Sequence, residues 1–262
     1  MAAIIQQDQS SHWYAQDGAP RYEATLREAR KEQLLPSPTS ILGLIKSEGL
    51  ETWKQEQLLL STLTLPRLMC ETDDEFAKRA IQDAKQTTKA AAELGTRIHH
   101  GVESILAGRN FDHDLPQLEV FKDWAATHVT GYDWLERVQV NLDLGVAGRA
   151  DGLVTLKDHG PVLVDWKSQM VKKNKRGVYT PRFYEKWPMQ LAFYAYCEMV
   201  PPTIASVVIN TNAASEPWIK VWTDEERDAA WDAFEHTAAI WFHLKKYKPR
   251  IKDGNEGGEK KG

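Results

Sequence analysis

The apolar positions of this chain change period part-way along it. Up to about residue 128 they recur at helical spacing. In LGTRIHHGVESILAGR, residues 94–109, Leu94, Ile98, Val102, Ile105 and Leu106 fall on one helical stripe, and Gly108 stands where a C-terminal stop is expected. Helices are likewise expected over 21–35, stopped by Pro36, and from a Thr39 or Ser40 cap to about Ser47, ended by Gly49. Further helices are expected over 50–60, from Asp73 through the alanine-rich 84–94, and over 116–128. Beyond that the period shortens. Residues 133–143, 147–156 and 161–167 read as three strands, the last two joined by the turn KDHG at 157–160. A helix follows at about 182–199, then strands at 204–211 and 217–222. A last helix, 224–247, carries Trp231, Phe234, Ala238 and Trp241 as its apolar stripe. Helices, a strand meander, helix, strand and helix in that order predict an α+β fold. The chain divides into an irregular N-terminus (1–20), a helical N-terminal region (21–93), a core (94–250) and a Gly-, Lys- and Glu-rich tail (251–262) expected to be disordered.

Within the core one strand breaks its own pattern. Val162, Leu163 and Val164 suit a strand buried on both faces, yet the chain runs directly into Asp165, Trp166 and Lys167. A hairpin centred near Asp158, with a loop of three or five residues, sets Asp151 opposite Asp165. Lys167, two residues on, shares the face of Asp165. Opposed carboxylates repel unless a positive group lies between them. A hard divalent cation does this, and Mg²⁺ or Mn²⁺ suits oxygen ligands. Such an ion polarises a phosphate oxygen and activates water, and an adjacent lysine can position that water or stabilise developing charge. An isolated D-x-K also fits an ordinary ion pair at a strand end. More residues bear on the choice. Gly95, His99 and Glu103 recur one helical turn apart on a stripe flanking the apolar one, and Gln190 and Tyr194 repeat that spacing on the helix after the third strand.

Bulk properties narrow the surroundings. The net charge of −4 argues against a surface coated in positive charge, though not against a local basic groove. Two cysteines, Cys70 and Cys197, make neither a disulfide framework nor a four-cysteine iron–sulfur site, so a reducing cytosol is expected. No apolar run approaches transmembrane length, and the N-terminus lacks a secretory pattern, so no membrane partner is expected.

Taken in order, G-x-x-x-H (Gly95 to His99), G-x-x-D (Gly148 to Asp151), D-x-K (Asp165 to Lys167) and Q-x-x-x-Y (Gln190 to Tyr194) resemble the RecB-like exonuclease branch of the PD-(D/E)XK nuclease superfamily. The stretch HWYAQDGAPRYE (12–23), then LPSPTSIL (35–42) and Gly49-Leu50 with Trp53, resembles the N-terminal region of phage exonucleases related to mitochondrial genome maintenance exonuclease.

The resemblance implies a restriction-endonuclease-like core over 94–250, a mixed central sheet flanked by helices, with the N-terminal helices as an extension. It implies a metal-dependent DNA exonuclease, phage-encoded and acting in recombination, repair or replication in the bacterial host cytosol. His99, Asp151, Asp165 and the backbone carbonyl of Trp166 would hold one or two Mg²⁺ or Mn²⁺ ions, with Glu103 as a further outer or second-metal ligand. Lys167 would be the catalytic lysine, and Gln190 and Tyr194 would support the site and the DNA backbone. No iron–sulfur cluster is expected. The partner would be single-stranded DNA or duplex ends, with a phage single-strand annealing or binding protein as companion. The segment MVKKNKRGVYTPRFYEKW (170–187) fits a DNA grip. Lys172, Lys173, Lys175, Arg176, Arg182 and Lys186 can neutralise phosphates, and the interleaved Tyr179, Phe183, Tyr184 and Trp187 can stack on bases. A solvated charged loop is the plainer reading of that segment. An endonuclease on the same fold, a non-catalytic DNA-binding protein that keeps it, and an unrelated structural or partner-binding protein stand as alternatives.

Overall fold

The structure, a computed structural model, describes residues 13–46 and 48–251. Residues 1–12 of the N-terminal stretch, and the expected tail from residue 252 onward, lie outside the described residues. The first elements differ from the pattern of the sequence. Trp13–Tyr14 forms a short strand β1 that pairs antiparallel with β2, Leu35–Pro36. Between them the helix expected over 21–35 is trimmed to α1, Leu26–Glu32. Thr25 and Glu28 close a reciprocal capping box at its start, and Gln33 ends it in the left-handed conformation. In α2, Pro38–Leu42, the cap is Ser37 rather than Thr39 or Ser40, because Pro38 fits the first helical turn, where an N–H is not missed. Gly49 does not terminate a helix; it lies in the first turn of α3, Glu48–Thr64.

The two helical stretches meeting near residue 94 are one helix, α4, Asp73–Leu106. A Thr72–Glu75 capping box starts it, Gly108 follows its end at φ +66°, and its 34 residues span about 50 Å. The division at residue 93 therefore falls inside a continuous helix. Residues 26–42 also share a core with the later elements: Ala29, Leu34, Ile41 and Leu42 pack with α6 (Lys186–Ala195) and α7 (Asp224–Lys245). Among the described residues, α3 and the first half of α4 contribute to neither core cluster and pack on each other as an arm.

After α5 (Pro116–His128) come β3 (Val129–Asn141), β4 (Val146–Leu156) and β5 (Gly160–Gln169). Then α6 leads into β6 (Thr203–Asn210), β7 (Trp218–Trp222) and α7. The five strands lie in the order β3–β4–β5–β6–β7. All neighbours are antiparallel except β5 and β6, which α6 connects as a parallel pair. The sheet is mixed and the fold is α+β. Alternation along β5 divides the core. Val162, Val164 and Trp166 join α4 and α5, while Leu163 joins α2, α6 and α7. Among the described residues both cysteines are free, and no helix is long and apolar enough to cross a membrane.

Candidate active site

The hairpin of β4 and β5 has the expected register. Leu156 pairs with Gly160 across a three-residue loop, and the ladder runs inward to Gly152–Val164. There it stops. β4 continues against β3 alone, and β5 continues against β6 alone, as far as Gln169–Asn210. Asp151 and Asp165 stand where the ladder would have reached next, at the crotch of this fork. They are not a laddered pair: Asp151 Oδ2 accepts the backbone N–H of Trp166 at 2.8 Å, replacing a strand bond with a side-chain one. The fork opens the sheet at a point where a continuous ladder would have closed it.

Side chains reach the fork from both sides. On α4, His99 Nδ1 comes within 3.9 Å of Asp151 Oδ2. Gly95, one turn earlier, lets the helix settle against the end of β5, since a Cβ there would sit 2.8 Å from Ser168 Oγ. From within β5, Lys167 Nζ lies 2.6 Å from Asp165 Oδ2 and donates to Gln190 Oε1 of α6 at 3.2 Å. Gln190 in turn pairs with the buried hydroxyl of Tyr194. The structure thus brings together His99, Asp151, Asp165, Lys167, Gln190 and Tyr194, from four elements.

The electrostatics are those of charge held out of water. Asp165 is 3% exposed, and burial, opposed by Lys167 and aided by the Asp151 charge, pushes its carboxyl up to about 6. Burial also raises Asp151, with Lys167 and the Trp166 N–H pulling the other way. Tyr194 is raised well above a phenol's ordinary value, first by burial and then by Tyr14 and the two acids. Asp165 Oδ2 is close to Lys167 yet has no well-aligned hydrogen bond. Among the described residues no three His, Cys, Asp or Glu side chains already stand in a metal-holding cluster. In kind, the donors fit a hard divalent ion: two carboxylates burdened by burial, one with an unsatisfied oxygen, and a ring nitrogen beside them.

Other expected residues fall elsewhere. Glu103 is engaged by Arg109 and by His100 at 3.9 Å, and by neither acid. Trp166, by contrast, expected to act through its backbone carbonyl, stays at the fork, where its N–H donates to Asp151 Oδ2, while its ring turns into the core, edge-on to Phe121 at 5.5 Å. The segment after Lys167 is a folded loop. Gln169 exchanges hydrogen bonds with the backbone of Arg182 at 2.9 and 3.0 Å, and Lys173 bridges Tyr179. Lys172, Lys173, Lys175, Arg176 and Arg182 are exposed and Lys186 is partly buried. The aromatics are used differently from the expectation. Trp187 packs with Val171 and Val208, and Tyr179, Phe183 and Tyr184 pack around them, so these rings hold the loop down instead of projecting from it.

Two residues of the floor come from the N-terminal stretches 12–23 and 35–42, where no role is assigned to either. Tyr14 is buried and acts electrostatically on Tyr194, and Pro38 presses on Gly148. A Cβ at Gly148 would lie 2.6 Å from Pro38 Cδ and 2.9 Å from Tyr194 Oη. Gly148→Ala is therefore expected to cost about 1–3 kcal/mol, the range for overpacking a filled core. Urea unfolding checks it: the midpoint falls and the slope stays. Gly95→Ala meets only a rotatable hydroxyl and should cost less.

No protein-family model matches the chain, and no curated protein does. Among solved structures it is similar to the crystal structure of a candidate exonuclease from Eubacterium rectale, with 16% identity and a TM-score of 0.34 over 63% of this chain. The match covers 62% of that protein, so this chain spans less than two thirds of its length.

Proposed function

We propose that this protein is a metal-dependent DNA exonuclease of the PD-(D/E)XK type, RecB-like, phage-encoded and active in recombination, repair or replication. The observation that carries the reading is the strand fork: Asp151 and Asp165 meet there, with Lys167 held 2.6 Å from one acid and 3.2 Å from Gln190. An ion pair serving only stability gains little from a second buried acid beside the first. A hydrolytic site uses all three.

Asp151, Asp165 and His99 would hold Mg²⁺ or Mn²⁺, with the Trp166 carbonyl as a further donor. When bound, such an ion polarises a phosphate oxygen and lowers the pKa of water. The chain's own residues do the rest. Lys167 is fixed by Asp165 and Gln190, so its ammonium would be held ready to orient an attacking water or to stabilise negative charge growing on the phosphate. Tyr194 fixes Gln190, and burial removes competing water from both. The exposed basic residues of 172–182, with Lys186, contribute phosphate contacts along the strand.

The test is digestion of end-labelled single-stranded and duplex DNA, and of a single-stranded circle, with Mg²⁺, Mn²⁺ or EDTA. Shortening from ends that depends on metal, with the circle intact, is expected. Cleavage of the circle makes the enzyme an endonuclease. Folded protein that cuts nothing with either metal overturns the reading.

A further inference from the structure

The first turn of α3 lies against the basic loop that follows β5. A Cβ at Gly49 would stand 3.1 Å from Tyr184 Oη and 3.7 Å from Arg182 Nη1, so glycine permits the approach. Arg182 lies over the Tyr184 ring at 5.2 Å, and Tyr184 in turn meets Trp187 edge-on at 5.2 Å. Lys167 Nζ also lies over this cluster, 5.8 Å from the centroid of the Trp187 ring. The base of the arm, the basic loop, the start of α6 and the catalytic lysine thus share one apolar support.

Above that support cations gather. Lys186, the first residue of α6, is partly buried, and its ammonium is held below its ordinary value by burial and then by two other ammonium groups, Lys167 and Lys54. Lys54 belongs to α3, just over one turn past Gly49. It pairs with Glu51 at 3.1 Å, an exposed i,i+3 pair. Such a pair contributes about 0–1 kcal/mol and is readily given up for a stronger anion. Among the described residues no carboxylate forms an ion pair with Lys186. Lys186 is thus repelled by an ammonium on each of two other elements, and a fold tolerates this where a polyanion relieves it.

We infer that Lys54 and Lys186 form a phosphate seat beside the fork, and that a DNA strand passes between the base of the α3–α4 arm and the 170–187 loop. This rests on the nuclease reading and extends it, because it makes the arm part of the substrate path. Arg182 edges the seat, and Lys167 links it to the reacting phosphate. The strand would be held by its backbone, so the seat is indifferent to base sequence.

The test separates binding from cleavage. Affinity for a fluorescent single-stranded oligonucleotide is measured in EDTA over a range of salt, for wild type, Lys54→Ala, Lys186→Ala and, as control, Lys31→Ala on α1. Loss of one phosphate contact weakens binding several-fold and lowers the slope of log K against log salt by about 0.7–1. That loss is expected for Lys54→Ala and Lys186→Ala and not for Lys31→Ala. Under Mn²⁺ the Lys54 variant is expected to raise KM with kcat nearly unchanged. Unaltered affinity and slope in both variants overturn the seat, even if wild type cleaves DNA. Wild type that does not bind the oligonucleotide overturns it as well. Absence of cleavage with intact, Lys54-dependent binding overturns the nuclease and leaves the seat standing.

Discussion

Lys167→Met is expected to lower the rate of DNA hydrolysis by about 10²–10⁴-fold, the range for losing a positioned acid–base or charge-stabilising group. Methionine keeps most of the volume and removes only the charge. The ammonium touches Asp165 and Gln190 at the fork, so the loss falls on kcat, with substrate binding nearly intact. Lys167→Arg should not rescue it. A guanidinium is wider, and the slot between Asp165 Oδ2 at 2.6 Å and Gln190 Oε1 at 3.2 Å fits a compact ammonium. Stability also moves. Removing one partner of a buried pair leaves the other charge uncompensated, and a Lys side chain that keeps 20% of its exposure places the cost at the low end, about 1–3 kcal/mol. Asp165 can escape that cost by taking a proton. The Tm deficit of the variant should therefore be clear at pH 8 and mostly gone at pH 5. Single-turnover cleavage and thermal unfolding at the two pH values check both halves. A variant that cleaves within tenfold of wild type removes Lys167 from the chemistry.

Much of this site was legible before the fold was known, for a reason particular to β-hairpins. The loop after Leu156 fixes the register, and the register fixes which residues oppose each other, so Asp151 and Asp165 could be brought together by counting. One-turn spacings did the same for His99 and Gly95, and for Gln190 and Tyr194. What counting could not supply was the fork. Nothing in the alternation of β4 says that its ladder ends at Gly152, because that depends on Asp151 taking the Trp166 N–H. Nor could it supply contacts between distant segments. Pro38 on Gly148 and Gly49 on Tyr184 are separated by more than a hundred residues, and a glycine in a sequence does not name what it admits. The aromatic residues of 179–187 misled for a related reason. Interleaving with lysine and arginine suits a stacking surface and a loop's private core equally well, and Val208 with Trp218 from the far strands decided for the core. The short strands β1 and β2 escaped because two residues carry no period.

In EDTA at pH 8, Asp165→Asn is expected to unfold at a higher urea concentration than wild type, and Mn²⁺ is expected to erase that advantage. Asp165 is buried beside a second acid, and its carboxyl sits at about 6 against an ordinary 3.8. A difference of that size is worth about 3 kcal/mol between the protonated and ionised forms, as an upper figure. The folded protein holds this proton more tightly than the unfolded chain. Stability from this group is therefore present at low pH and is lost as pH rises through about 6. Asparagine resembles the protonated form and cannot ionise, so its advantage should be largest at pH 8 and vanish toward pH 4. A cation reverses the balance by binding the ionised acids of the folded state alone. At 100 times Kd it stabilises wild type by about 2.7 kcal/mol, and the variant, short of one anionic ligand, by much less. Equal gains with Mn²⁺ in both proteins, or none in either, would remove Asp165 from metal binding. A buried acid that weakens the metal-free fold and strengthens the metal-loaded one reflects retention for chemistry at the expense of stability, because an ordinary structural ion pair would have no reason to respond to the ion at all.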